Sequence, residues 1–243
     1  MAKLVQKSGY IKSGKASGYM RYIATREGVE KLAGNGSVTN GQRELIQELL
    51  HDFPDAVELF EYEDYCKTPT LGTASAFITM ALDANLHEID SESGYMQYIA
   101  TRPRVQKRGT HGLFSSATAV DLASAMSELE AHEGNVWTII YSLRREDAAR
   151  LEYDNADAWR TLLMENAPTL AKSMKISLDN FRWYAAFHDE GHHPHIHMMV
   201  WSDDPKEGFL TKDGIAAMRS KLTNAIFRDE MQQIYERKDV AYS

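Results

Sequence analysis

The stretch Phe181–Ser202, FRWYAAFHDEGHHPHIHMMVWS, constrains the chain more than any other because it holds five of the nine histidines. Phe181 to His188 is rich in aromatics and predicts a strand. Asp189-Glu190-Gly191-His192-His193-Pro194 is a polar loop, and His195 to Trp201 predicts a second strand. Side chains alternate along a strand, so His195, His197, Met199 and Trp201 share one face and Ile196, Met198 and Val200 the other. Pairing the strands as a hairpin brings His188 beside His195 and His197. Three imidazoles on two rigid strands make a facial metal site with positions left for a substrate. A lone histidine ordinarily faces water, which is the reading for His51, His87 and His132. Five gathered histidines repel one another when charged and resist burial, so they point to a ligand. His192 and His193 remain open as alternatives to His188 for the third position.

A length of 243 residues allows one large domain or two small ones, with a sizeable core either way. Cys66 is the single cysteine, which excludes a disulfide within the chain and suits a reduced, cytoplasmic setting. No signal peptide opens the sequence, and no apolar run reaches the length of a membrane span. The net charge of −8 argues mildly against a general nucleic-acid binder. That average hides basic segments at Lys3–Lys31 and at Arg102, Arg104, Lys107 and Arg108. Salt screens distant charges beyond about 8–10 Å, so such patches can hold phosphate on an acidic protein.

Residues 3–12 predict a strand, and a short helix follows from Ser17 or Gly18 to about Gly34. Helices are expected at 42–51, 70–84 and 117–132, and residues 57–66 are ambiguous. Ser17–Arg26, SGYMRYIATR, returns as Ser93–Arg102, SGYMQYIATR, with nine of ten positions identical. Glu27-Gly28 continues the first copy, whereas Pro103 ends the second. The basic segment RVQKRGTHGLFSS is a loop or short strand, and NVWTIIYSL at 135–143 has the strongest strand composition. A short helix at 146–153 precedes a longer one, capped by Asn155, running to about Ser177 and kinked or divided at Pro168. Thr211 opens the last helix, to about Lys238. These elements predict one α+β domain in which an antiparallel sheet carries helices.

Three neutral imidazoles without a carboxylate leave a bound cation fully charged, which suits polarising a phosphate oxygen. Asp189, directly after His188, is placed to orient a histidine or accept a proton. A tyrosine, whose phenol ordinarily titrates at about pH 10, becomes a nucleophile toward phosphorus beside a metal or base. Tyr22, between Arg21 and Arg26, sits in the repeated Tyr-Met-x-Tyr-Ile-Ala-Thr-Arg. Packing alone rarely preserves a polar Thr-Arg pair alongside.

These residues carry a family resemblance. HPHIH is similar to the His-hydrophobic-His motif of the HUH endonucleases. HDEGHHPHIHMMVWS resembles the third motif of conjugative relaxases, in which an upstream histidine precedes the pair as His188 precedes His195. MRYIATREGVEKL resembles the first motif of MobP-type relaxases and places the catalytic tyrosine at Tyr22. YIATRPRVQKRGTHGLFS, SLRREDAARL and GFLTKDGIAAMRSKL resemble the MobL relaxases of Gram-positive plasmids and integrative elements, so the likeness spans nearly the whole chain. It implies a five-stranded antiparallel sheet with the two-histidine strand central, flanked by helices, in one relaxase domain over residues 1–243. Members often carry further C-terminal segments, which leaves room for a region beyond residue 243. The implied reaction is tyrosine attack on one phosphodiester of transfer-origin DNA, assisted by Mn²⁺ or Mg²⁺. It gives a 5′-phosphotyrosine link and a free 3′-OH, and later reverses. Tyr98 in the second copy competes with Tyr22 as nucleophile, and Tyr19 and Tyr95 trail.

Lys12, Lys15, Arg21, Arg26, Arg102, Arg104, Lys107 and Arg108 are the candidate phosphate contacts. Trp183, Tyr184 and Phe114 are candidates for base stacking, with core packing the stronger expectation for Trp183. Relaxosome accessory proteins and a coupling protein are the implied partners, with no membrane insertion. Two other classes compete: a histidine-triad nucleotide hydrolase, which the alternating His193, His195 and His197 would fit, and a non-catalytic DNA-binding or metal-storage module.

Overall fold

A computed structural model of the chain describes residues 3–10, 36–85, 92–101, 105–189 and 193–228. The first strand, β1, spans Val5–Tyr10. Helix α1 follows at Asn40–Asp52, opened by Thr39: its hydroxyl accepts from the Gln42 N–H at 3.1 Å while the Gln42 side chain accepts from the Thr39 N–H. Two orphan donors are satisfied at once, which fixes where this helix begins. The ambiguous 57–66 segment resolves into a 3-10 turn at Pro54–Glu58 and helix α2 at Phe60–Lys67, and α3 runs from Leu71 to Asn85. The second copy of the repeat forms α4, Glu92–Thr101.

Strand β2 is short, Leu113–Phe114. Helix α5, Leu122–Glu130, starts five residues later than expected, because Asp121 caps it by accepting from the Ser124 N–H. Strand β3 (Trp137–Ser142) and the short helix α6 (Arg145–Arg150) match their expectations. Helix α7, Ala156–Ser173, is capped by Asn155 and ends four residues early. It runs unbroken through Pro168. The proline and the Met164 carbonyl that loses its donor both lie on exposed positions, where water can replace the missing bond. The hairpin strands are β4 (Phe181–His188) and β5 (His195–Ser202), and α8 (Lys212–Ile226) is capped by Thr211. Residues 11–35, which hold the first copy of the repeat, lie outside the described residues, as does the expected end of the last helix.

The five strands form one antiparallel sheet in the order β1-β3-β5-β4-β2, so the two-histidine strand is central as expected. Every residue of β5 is buried, which a central strand covered on both faces requires. On one face Ile139, Tyr141, Ile196, Met198, Val200, Trp183 and Phe187 pack with Trp159, Leu163, Met218 and Leu222 from α7 and α8. Each such buried side chain contributes about 1.5–3 kcal/mol of transfer free energy. The other face is divided. Val5 and Ile140 pack with α1, α2 and α3, whereas Ala186, Met199 and Trp201 pack with α4 and α5. His188, His195 and His197 project from this face, between the two clusters.

Candidate metal centre

The hairpin register places His188 opposite His195 and Ala186 opposite His197. On the far side of β5, Ser142 faces His195 and Ile140 faces His197. The ring centroids lie 5.2 Å apart for His188–His195, 4.6 Å for His188–His197 and 5.0 Å for His195–His197. One ring nitrogen from each falls within 4.8 Å of those of the other two, and all three side chains are at most 1% exposed. Among the described residues this is the group of histidine, cysteine or carboxylate side chains able to share one cation. The third ring of this group, among the described histidines, is His188. His193 is turned elsewhere, and His192 lies outside the described residues.

Each ring is held from behind by a neutral oxygen. His188 donates from Nε2 to the Ile99 carbonyl at 2.8 Å, and His195 donates from Nδ1 to the His193 carbonyl at 3.2 Å. A carbonyl only accepts, so both protons are assigned. The lone pairs then sit on His188 Nδ1 and His195 Nε2. His197 Nδ1 lies 3.0 Å from the Tyr95 hydroxyl. Neutral imidazole nitrogens suit a first-row divalent cation, and crowding three buried imidazolium charges this closely would be costly. The residues present thus fit the metal that the sequence implies.

His193 has a different neighbourhood. Its Nε2 lies 2.8 Å from Asp64 Oδ2, and its ring packs on Phe60 at 5.2 Å. Arg144 sits over the same Phe60 ring at 4.6 Å and reaches Asp64 at 3.3 Å and Glu63 at 3.0 Å. Burial alone would raise the Asp64 carboxyl, but His193 and then Arg144 outweigh it and hold it below the ordinary carboxylate range. Glu63 is also held low, chiefly by its hydrogen bond from Lys3.

The other expected site residues divide between described and undescribed positions. Asp189 pairs with Arg145 at 2.7 Å, half-exposed at the end of β4. Lys107 is exposed, and Arg108 pairs with Asp157, on a loop that runs beside the site. Val105 bridges to His188, and the Gln106 N–H donates to the Phe187 carbonyl at 2.9 Å. The loop turns through Gly109 at φ +90° and closes at Gly112, where a Cβ would meet Val105 Cγ2 at 2.1 Å. Lys12, Lys15, Arg21, Tyr22, Arg26, Arg102 and Arg104 lie outside the described residues. Tyr98 donates its hydroxyl to the buried Asp83 at 2.9 Å. Tyr141 is on the opposite face of the sheet, and burial pushes its phenol far up.

Three sequence expectations need correction. Phe114, a candidate base platform, is buried edge to face against Trp183 at 6.2 Å and presents no ring to a base, while Trp183 packs in the core as expected. Tyr184 is half-buried, stacked on Trp201 at 5.6 Å, with its hydroxyl donated to Glu128. His132 is half-buried against Trp201 instead of facing water, and burial lowers its pKa. Sequence reasoning also missed the place of Tyr95 behind His197, the Ile99 carbonyl and the Asp64–Arg144 pair. Only the repeat's tyrosine spacing pointed toward the first.

A family model of the MobL relaxases matches residues 1–242. No curated protein and no solved structure matches the chain. No described helix is long and apolar enough to cross a membrane.

Proposed function

The chain belongs to the MobL relaxases, enzymes that nick DNA for mobilisation, and from that premise we propose that it cuts and reseals one strand of transfer-origin DNA by tyrosine transesterification. The observation that carries this reading is the convergence of His188, His195 and His197 on the central strands. We assign these three as ligands of Mn²⁺ or Mg²⁺ and Tyr22 as the nucleophile. A bound divalent cation would polarise a non-bridging phosphate oxygen and offset the charge that builds there.

The Tyr22 oxygen attacks phosphorus, and the bond to the 3′ oxygen breaks. The phenolic proton passes to a base, for which Asp189 is the proposed acceptor, and the departing 3′ oxygen takes up a proton as 3′-OH. The phosphotyrosine at the 5′ end conserves the bond energy, so attack by a 3′-OH reverses the step without water. Tyr98 is engaged with Asp83, which supports giving the nucleophile's role to the first copy of the repeat. Lys107 and Arg108, on the loop beside His188, would meet phosphates near the cut. Lys12, Lys15, Arg21, Arg26, Arg102 and Arg104 are proposed to extend that track. The three rings are buried, so neighbouring chain must give way before a phosphate reaches them. Relaxosome accessory proteins and a coupling protein, in the cytoplasm, are the partners this reading requires. The family match over nearly the whole chain sets it above a histidine-triad hydrolase.

The test uses a supercoiled plasmid bearing the cognate origin, with Mn²⁺. A nicked strand with protein attached to its 5′ end is expected. The adduct should be lost in Tyr22→Phe and retained in Tyr98→Phe. Loss in Tyr98→Phe alone would move the nucleophile to the second copy, and dinucleotide hydrolysis in the presence of chelator would favour the hydrolase.

A further inference from the structure

Helix α4 presents two groups to the metal centre, four residues and one turn apart: the Tyr95 hydroxyl and the Ile99 carbonyl. Two of the three outer partners are carbonyls, which accept and nothing else. They leave His188 and His195 one tautomer each. The partner of His197 is a phenol, which both donates and accepts. His197 is therefore the one ring of the three whose lone pair its partner's atom type does not dictate.

We propose that Tyr95 is a positioning residue for the metal centre. Its oxygen accepts from His197 Nδ1–H and so holds the Nε2 lone pair toward the cation. This rests on reading the three histidines as metal ligands. The contact is 3.0 Å, and both residues are fully buried, so no bulk water substitutes for the hydroxyl. The Tyr95 and His197 rings also meet at a steep angle, 6.1 Å apart and 70° between planes, a contact that restricts rotation of the imidazole. Met96, Ile99 and Ala100 anchor the same helix in the apolar cluster of the sheet face, so the hydroxyl sits on a rigid element. A phenol brings a hydroxyl in place of a carboxylate, which would offset part of the cation's charge. The centre thus gains orientation without losing Lewis acidity.

The experiment titrates Mn²⁺ into the full chain by calorimetry, without DNA. Tyr95→Phe should weaken binding about 10–100-fold, the usual effect of losing a partner behind a metal-binding histidine. Tyr98→Phe, one turn away on the same helix, should leave Mn²⁺ affinity unchanged. Nicking by Tyr95→Phe should return when Mn²⁺ is raised to saturation, because the ligands themselves remain. Unchanged affinity in Tyr95→Phe overturns the proposal, and so does an equal loss in Tyr98→Phe. A second measurement stands even where Tyr95→Phe fails to fold. In the Zn²⁺-loaded wild-type protein, ¹⁵N-histidine spectra should show His197 coordinated through Nε2 with Nδ1 protonated, and the reverse pattern overturns the assignment. Metal affinity that responds to Tyr95 in a protein that never forms a DNA adduct would leave this inference standing and remove the proposed function. A wild-type chain that binds no Mn²⁺ would remove both.

Discussion

His193 and His195 are two residues apart and both buried, yet they occupy opposite electrostatic settings. His193 lies against Asp64, within a network that Arg144 and Glu63 extend and Lys3 closes. His195, with His188 and His197, meets only neutral oxygens among its hydrogen-bond partners described above. A carboxylate supplies the charge a ring would otherwise seek from a cation, which makes His193 part of a bracket tying α2 to the end of β3. At His188 and His195 a carbonyl partner fixes the proton on the nitrogen that faces it, so the lone pair lies on the other nitrogen. The partner's charge, more than the residue type, separates a structural histidine from a candidate ligand.

That contrast breaks most visibly in activity. His197→Ala should lower nicking by on the order of 10³-fold, since several kcal/mol of charge stabilisation goes with the cation. His193→Ala should retain most nicking, because the contact it makes to His195 is through its backbone carbonyl. Comparable losses in both variants, measured on a supercoiled origin plasmid, would erase the distinction.

Stability sharpens it next. Mn²⁺ at 100 times its dissociation constant should raise the unfolding free energy by about 2.7 kcal/mol through mass action. His193→Ala should keep that increment and His197→Ala should lose it, as read from urea midpoints with and without metal. Removing metal with a chelator should return the wild type to its unliganded midpoint.

The smallest effect concerns the charged side. The folded Asp64 carboxyl titrates below its unfolded value, so its contribution is present above about pH 4 and is lost as pH falls through the folded value. Asp64→Asn should therefore cost about 1 kcal/mol at neutral pH and nothing in strong acid. An equal deficit at both pH values would show that packing, not charge, binds His193 in place.

Much of the fold was legible locally. Period-two alternation put His195 and His197 on one face of a strand, and the family resemblance implied that this strand is central. Thr39, Asn155 and Thr211 opened their helices close to where the sequence placed them. The misses share a cause. Pro168 does not divide α7, because the residue whose carbonyl it strands, Met164, lies on the exposed side. Phe114 looked like a base platform, but only the docking of the far face showed it buried against Trp183.

The sequence by itself determined the hairpin, the shared face of two histidines and the family, because each is written in the spacing of neighbouring residues. The tertiary structure decided that His188 and not His193 completes the trio, and that a tyrosine from the repeated segment stands behind His197. Those choices depend on strand register and on how α4 docks against the sheet. The register is a contact within one hairpin, but the docking of α4 joins residues about a hundred positions apart, which no local periodicity encodes.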